Sequence, residues 1–197
     1  MTASTAAAPT ELVRREDDAG VVTLTLAQPR NRNALSLAMI DTLIVAFADL
    51  AKDRAARAIV LAGDGPALSA GHDLRELEAH RNDPDRGQAF FELVMTRCAT
   101  LMQAIVALPK PVIAAVEGVA TAAGCQLVAA CDLAIAGERA RFALPGVSIG
   151  LFCSTPLVEV GRAVSRKRAM EMALTGALYG AAEAERFGLV NRVVPAG

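Results

Sequence analysis

The stretch Pro111–Gly137, "PVIAAVEGVATAAGCQLVAACDLAIAG", decides the fold. Its two ends, "PVIAAVEG" and "CDLAIAG", are short apolar runs bounded by turn residues and read as buried strands. Between them, "TAAGCQLVAA" reads as a turn that opens a short helix. Apolar strands joined through a helix belong in a parallel sheet, because parallel neighbours need a crossover connection. One amide side chain, Gln126, sits in this small, apolar segment.

The same alternation extends outward. On the N-terminal side, "VVTLTL" (Val21–Leu26) is a β-branched strand, and "AQPRNRNAL" is a turn. Ser36 is placed to cap the helical pattern of "LAMIDTLIVAFADLAKD". "RAIVLAG" (Arg57–Gly63) is a strand ended by the turn "GDGP", whereas "ALSAGHDL" (Ala67–Leu74) is too small and Gly/Ala-rich for a packed strand. A helix follows from about Gly87 to Leu108 and stops at Pro109 and Pro111. On the C-terminal side, "RFALPGVSIGLF" reads as a loop. "TPLVEVGRAV", "RKRAMEMALTG" and "GAAEAERFG" read as three helices, and "LVNRVVP" as a last strand. The expectation is one α/β domain over residues 20–197, with strands covered on both faces, after a loose tail over residues 1–19.

Composition narrows the function. The 197 residues are 53% hydrophobic with a net charge of -1, so the chain is globular and lacks the basic face of a nucleic-acid binder. With no Trp and one Tyr, base-stacking platforms are scarce. Four cysteines and two histidines include no CxxC pair, so no metal site and no separate cofactor are expected. The N-terminus lacks a secretory signal. It is Ala/Thr-rich with Arg14 and Arg15, but acids follow closely. A cytoplasmic protein is expected, with the mitochondrial matrix as the alternative in a eukaryote. The longest uncharged run, Phe142–Val158, contains Pro145 and Pro156 and reads poorly as a membrane helix, so no membrane partner is expected.

Two loops share a chemistry. "PALSAG" follows the strand "RAIVLAG", and "TAAGCQ" opens a helix. Small residues leave backbone N–H groups open, and N–H groups at a helix start attract negative charge. Two of them converging on one point would form an oxyanion hole; close packing is the plainer explanation of the same composition. His72 titrates in the range of a general base, but it has no partner in sequence and reads first as a loop residue. Asp73 reads as a cap, Asp132 as a capping and loop residue, Glu159 as a solvated or capping charge, and Cys125 and Cys131 as core. Cys153 has apolar flanks and no neighbouring histidine. Glu76, Glu78, His80 and Arg81 read as an exposed helix face.

Several motifs in order, "NRNALS", "GPALSAGHDLREL", the stretch from Lys110 to Phe152, "RAMEMALTG" and "AERFGLVNRVVP", resemble the crotonase (enoyl-CoA hydratase/isomerase) superfamily from about Val21 to Pro195. The resemblance implies a spiral of ββα repeats, an acyl-CoA thioester as ligand, and a role in fatty-acid metabolism. It implies that the thioester oxygen accepts hydrogen bonds from the N–H groups of Ser69 and Ala123, which stabilise an enolate. Arg30 would lie near the CoA phosphates. Ala67, Ala70, Gly71, His72, Asp73 and Leu74, with Gly124, Pro145 and Ser154, would line the ligand path. Members continue past "LVNRVVP" with helices that cover the site and build homotrimers, often paired into hexamers. This sequence stops at Gly197, so those helices are expected to be lacking.

The departures bear on chemistry. Family hydratases hold and activate water with two glutamates; Gln126 and Gly146 stand at those positions, and Ser154 stands near a third used for an aspartate in some isomerases. Gln126 can orient a water but cannot take its proton, and Gly146 offers only backbone. Three functions remain open at this point: an enoyl-CoA hydratase/isomerase with atypical acid/base residues, a thioester isomerase or hydrolase using another base such as His72, or a non-catalytic acyl-CoA binder or regulator.

Overall fold

Apolar residues at every second position start the main sheet. The computed structural model describes residues 11–196. β1 (Val13–Asp18) pairs antiparallel with β2 (Val21–Leu26), where Val22, Leu24 and Leu26 are buried on one face. α1 (Leu37–Lys52) is capped by Ser36, whose Oγ accepts from Met39 N at 3.2 Å. It leads to β3 (Ala58–Gly63), parallel to β2. β4 (Ala67–Ser69), α2 (Leu74–His80) and α3 (Gln88–Val106) complete that turn of chain. β5 (Val112–Val116), β6 (Val119–Thr121) and α4 (Ala123–Ala130) repeat it. β7 (Leu133–Gly137), β8 (Arg141–Ala143), a 3-10 turn over Pro145–Ile149, α5 (Ser154–Ala163) and α6 (Arg166–Thr175) form a third. β9 (Tyr179–Gly180), α7 (Ala181–Phe187) and β10 (Arg192–Val194) close the described chain.

The first strand of each repeat enters a six-stranded sheet of order β1-β2-β3-β5-β7-β10, parallel except for β1. The second strand enters a four-stranded sheet, β4-β6-β8-β9. The chain therefore spirals, each turn crossing from one sheet to the other and returning through helix. Two apolar clusters follow. One joins β2 and β3 to α1 and α3, and the other fills the space between the sheets and α5–α7.

Four expectations need correction. Residues 13–18 are not tail: the charged "RREDD" forms an edge strand because β2 supplies its backbone partners. Arg14 Nη1–Asp64 at 2.9 Å and Arg15 Nη2–Asp53 at 2.6 Å tie it to neighbouring loops. Residues 1–10 lie outside the described residues. Ala67–Ser69 is a strand after all, fully buried, as Ala and Ser fit where another sheet and α4 press close. "RFALPGVSIGLF" is not all loop, since β8 and the 3-10 turn fall within it. Finally, the main strands are covered fully on one face only; Thr23, Val60, Ile113 and Ile135 on the other are half-buried.

The corner from β5 to β6 depends on Gly118, whose φ is +76° and where a Cβ would collide with the Pro66 carbonyl. Gly118→Ala is expected to lower stability by about 3 kcal/mol or more, combining backbone strain with overpacking, as read by urea unfolding; wild-type stability would refute this account of the corner.

Candidate functional site

The two loops singled out by composition meet. A Cβ on Gly71 would lie 2.9 Å from Ala122 Cβ and 3.1 Å from Ala123 N, and one on Gly124 would strike the Ser69 carbonyl. Glycine at both positions lets the first turn of α4 sit directly on the segment after β4. Ala122 N–H donates to Ala143 O at 3.0 Å, which ties the start of α4 to β8. Ala122 itself holds φ +51° and ψ −121°, a conformation that strains any residue with a Cβ.

Asn33 sets the other side. It is fully buried; its Oδ1 accepts from Gln28 N at 2.8 Å, and its Nδ2 donates to Asp64 O and Ala67 O at 3.0 and 2.8 Å. Ser69 Oγ donates to Asn33 O at 2.8 Å and accepts from Gly71 N at 3.2 Å. Ala70 N donates to Arg32 O at 3.0 Å, and Ala70 O accepts from Thr121 Oγ1 at 3.2 Å. The 69–71 segment is thus fastened on both sides before the chain reaches α2, whose N-cap, Asp73, accepts from Arg75 N at 3.0 Å.

These bonds correct the donor expected at Ser69. Ser69 pairs with Ala120 in the β4–β6 ladder, and Ala70 N–H points the opposite way, to Arg32, so strand alternation turns Ser69 N–H into the sheet. His72 behaves otherwise. Leu35 N donates to Gly71 O at 2.8 Å and Asp73 N donates to Leu35 O at 3.3 Å, which leaves His72 N–H facing away from Leu35. Among the described residues, neither His72 N–H nor Ala123 N–H, the first N–H of α4, has a protein acceptor. Free main-chain donors therefore stand on each of the two meeting segments.

Two buried side-chain atoms lack partners among the described residues: His72 Nε2 and Gln126 Oε1. Gln126 is 4% exposed. An orphan of this kind ordinarily costs about 1–3 kcal/mol. Burial pulls the His72 imidazole below its ordinary value near 6.5.

Gly146 is buried in the 3-10 turn. Its N–H donates to Cys153 Sγ at 3.3 Å, and a Cβ there would lie 2.8 Å from that sulfur and 2.9 Å from Leu151 O. The position is filled by its neighbours rather than open. Burial raises the Cys153 thiol and pushes that of Cys125 up to about 12, so neither is a poised nucleophile. Leu74, Leu77, Phe91, Met95, Ile149 and Leu151, together with Glu78 and Arg81, line a mostly apolar open groove of about 430 Å³ that begins two residues beyond His72. Arg30 is exposed in the 3-10 turn after β2, Ala67 is buried in β4, and Pro145 is half-buried before Gly146. Ser154 is exposed at the start of α5. Glu159, expected in solvent, is 9% exposed and is held by Arg162 at 3.0 Å, because α5 turns that face toward α4.

Comparison with known proteins identifies the scaffold. The sequence profile described as enoyl-CoA hydratase/isomerase matches residues 16–197. The chain belongs to the enoyl-CoA hydratase/isomerase family. It is 46% identical over 181 residues to the Rattus norvegicus protein named enoyl-CoA hydratase domain-containing protein 3, mitochondrial, covering 92% of this chain and 58% of that relative. Among solved structures it is similar to an enoyl-CoA hydratase from Mycobacterium smegmatis (52% identity, TM-score 0.88, covering 94% of this chain and 70% of that one). The human enoyl Coenzyme A hydratase domain-containing protein 3 is similar too (43% identity, TM-score 0.88, 94% and 71%). The chain thus spans less than two thirds of the curated relatives it matches first. These matches establish the crotonase-type α/β fold, with its parallel sheet and helices.

Sequence reasoning missed Asn33, the free N–H of His72 and the thiol packed on Gly146. "NRN" between strand and helix was the only signal for Asn33. Gly146→Glu is expected to lower stability by about 1–3 kcal/mol in urea unfolding, and Cys153→Ala in the same chain to restore part of it; a fully stable single variant would contradict the packing described. For His72 the sign of the pH effect follows from its lowered pKa. On acidification through about pH 6.5 the unfolded chain takes up a proton that the folded chain refuses, so stability is full above that pH and declines below it. Unfolding at pH 7.5 and 5.5 should show this decline in wild type and a smaller one in His72→Gln.

Proposed function

We propose that this protein binds acyl-CoA thioesters and polarises the thioester carbonyl between two main-chain donors, Ala123 N–H and His72 N–H, the latter in place of Ser69 N–H. The carrying observation is that both N–H groups are free on segments that touch through Gly71. Donors held in place before the ligand arrives need no rearrangement as negative charge grows on oxygen; one such donor is ordinarily worth about 3–4 kcal/mol to a transition state. The start of α4 adds its dipole in the same sense. The apolar part of the groove beyond Leu74, formed by Leu74, Leu77, Phe91, Met95, Ile149 and Leu151, suits the acyl chain. Arg30, exposed on its turn, suits the CoA phosphates. The enolate so stabilised is that of hydratase and isomerase chemistry in fatty-acid metabolism. Exposed Leu151, Phe152, Leu174 and Leu178 support association, of which a homotrimer is the family form. The mitochondrial relatives favour the matrix over the cytoplasm as its compartment.

Neither Gln126 nor Gly146 can take a proton, which favours a second reading in which the site binds acyl-CoA without hydrating it. Two measurements separate the cases. Butyryl-CoA should raise the melting temperature, and the thioether S-butyl-CoA, which lacks the carbonyl oxygen, should bind about tenfold more weakly or worse. Equal affinity for the two would rule out the carbonyl clamp. Crotonyl-CoA should be hydrated slowly or not at all; rapid hydration would rule out the binder reading and require a base.

A further inference from the structure

The groove beside the site has a direction. Leu74, Leu77, Glu78 and Arg81 line it at positions i, i+3, i+4 and i+7, so they form one face of α2 from its first residue to its C-cap. Phe91 and Met95, one turn apart on α3, add a second wall. One end therefore lies two residues beyond His72 and the other at Arg81. At that far end the groove meets a second open basin, of about 520 Å³, that shares Arg81 and Phe91 with it and adds Arg86, Asp85 and Glu92. The apolar run thus ends in charge.

The charges there are not equally engaged. Asp85 accepts from Ala89 N at 2.9 Å and from Gly87 N at 3.0 Å at the start of α3, and these bonds hold its carboxyl below the usual range. Glu92 accepts from Gln88 Nε2 at 3.1 Å. Glu78 approaches Arg81 at Nε, 3.2 Å away, in an exposed pair. Arg86 has no carboxylate partner and no side-chain hydrogen bond among the described residues. Its φ of +56° is a left-handed backbone that glycine or asparagine adopts more readily, so the turn itself gives no reason for an arginine.

We infer that Arg81 and Arg86 bind a carboxylate at the far end of the acyl chain, so that the groove takes a dicarboxylic acid joined to CoA through one of its two carboxyls. This rests on the acyl-CoA reading and narrows it, from thioesters in general to those of dicarboxylic acids. The thioester is held at the His72 end, and the methylene chain lies along Leu74, Leu77, Phe91 and Met95. The terminal carboxylate then meets guanidinium groups, whose planar fork matches its two oxygens. Length fits a medium chain. The 7 residues of α2 span roughly 10 Å. An extended chain advances about 1.2 Å per bond, so roughly eight carbons cover that span. A plain fatty acyl group of this length would set its methyl end among the charges.

The test compares octanoyl-CoA, octanedioyl-CoA and the ω-methyl ester of octanedioyl-CoA by titration calorimetry at low ionic strength. Each exposed ion pair contributes a factor of up to about five, so wild type should bind octanedioyl-CoA about tenfold tighter than the other two. Added salt should shrink that ratio, a readout that needs no variant. Both arginines are exposed, so Arg81→Gln and Arg86→Asn are expected to fold. Each should lower the ratio severalfold, and the double variant should bring it near one, whatever the absolute affinities. Equal wild-type affinity for octanoyl-CoA and octanedioyl-CoA, or a preference that survives in the double variant, would overturn this inference and leave the acyl-CoA reading standing. Binding of none of the three would overturn both.

Discussion

The site depends on a backbone contact that excludes side chains. The first turn of α4 rests on Ser69–Gly71 with no room for a Cβ at Gly71 or Gly124. Everything polar in the site is placed by that approach. Were the two segments held apart by even one methyl group, the N–H groups of His72 and Ala123 would be moved apart with them. The strain at Ala122, with φ +51°, belongs to the same constraint, because the chain must turn sharply from β6 to bring the helix start onto the loop.

Such an approach needs rigid supports, and they are polar. Asn33 spans from Gln28 to Asp64 and Ala67, and Ser69 Oγ returns a bond to its carbonyl. These groups are satisfied and buried, and they hold β4 to the turn before α1. Ala122 N–H on Ala143 O fastens the other side to β8. Against this fully bonded background, the unmatched atoms of His72 and Gln126 stand out as the places where protein partners stop. The Gly146 position shows the opposite condition: Cys153 and Leu151 occupy the space into which a side chain would have to grow. The want of a side chain at position 146 is thus a matter of packing as well as of residue identity. At Gln126, by contrast, a buried polar side chain remains.

Much of the fold was legible. The apolar runs of β2, β3, β5 and β7 and the periodic patterns of α1 and α3 announce themselves, because each is five or more residues long and buries a continuous apolar face. The four-stranded sheet was far less visible. Its strands are only two or three residues long and are defined by pairing across the spiral rather than by local preference. β1 was hidden for a related reason: "RREDD" has no strand signature apart from the partner that it meets.

The sequence by itself determined the α/β repeat, the two Gly/Ala-rich loops, the family, and the absence of carboxylates at positions 126 and 146. These are properties of residue type and order. Only the tertiary structure decided which N–H groups remain free, that Ser69 turns its own into the sheet, that half-buried His72 encloses an unpaired ring nitrogen, and that Gly146 is packed by a thiol. Each of those is a question of whether a group has already found a partner. Most of those partners come from segments tens of residues away, and Cys153 reaches Gly146 only through the fold of the 3-10 turn between them, so composition and spacing along the chain carry no record of them.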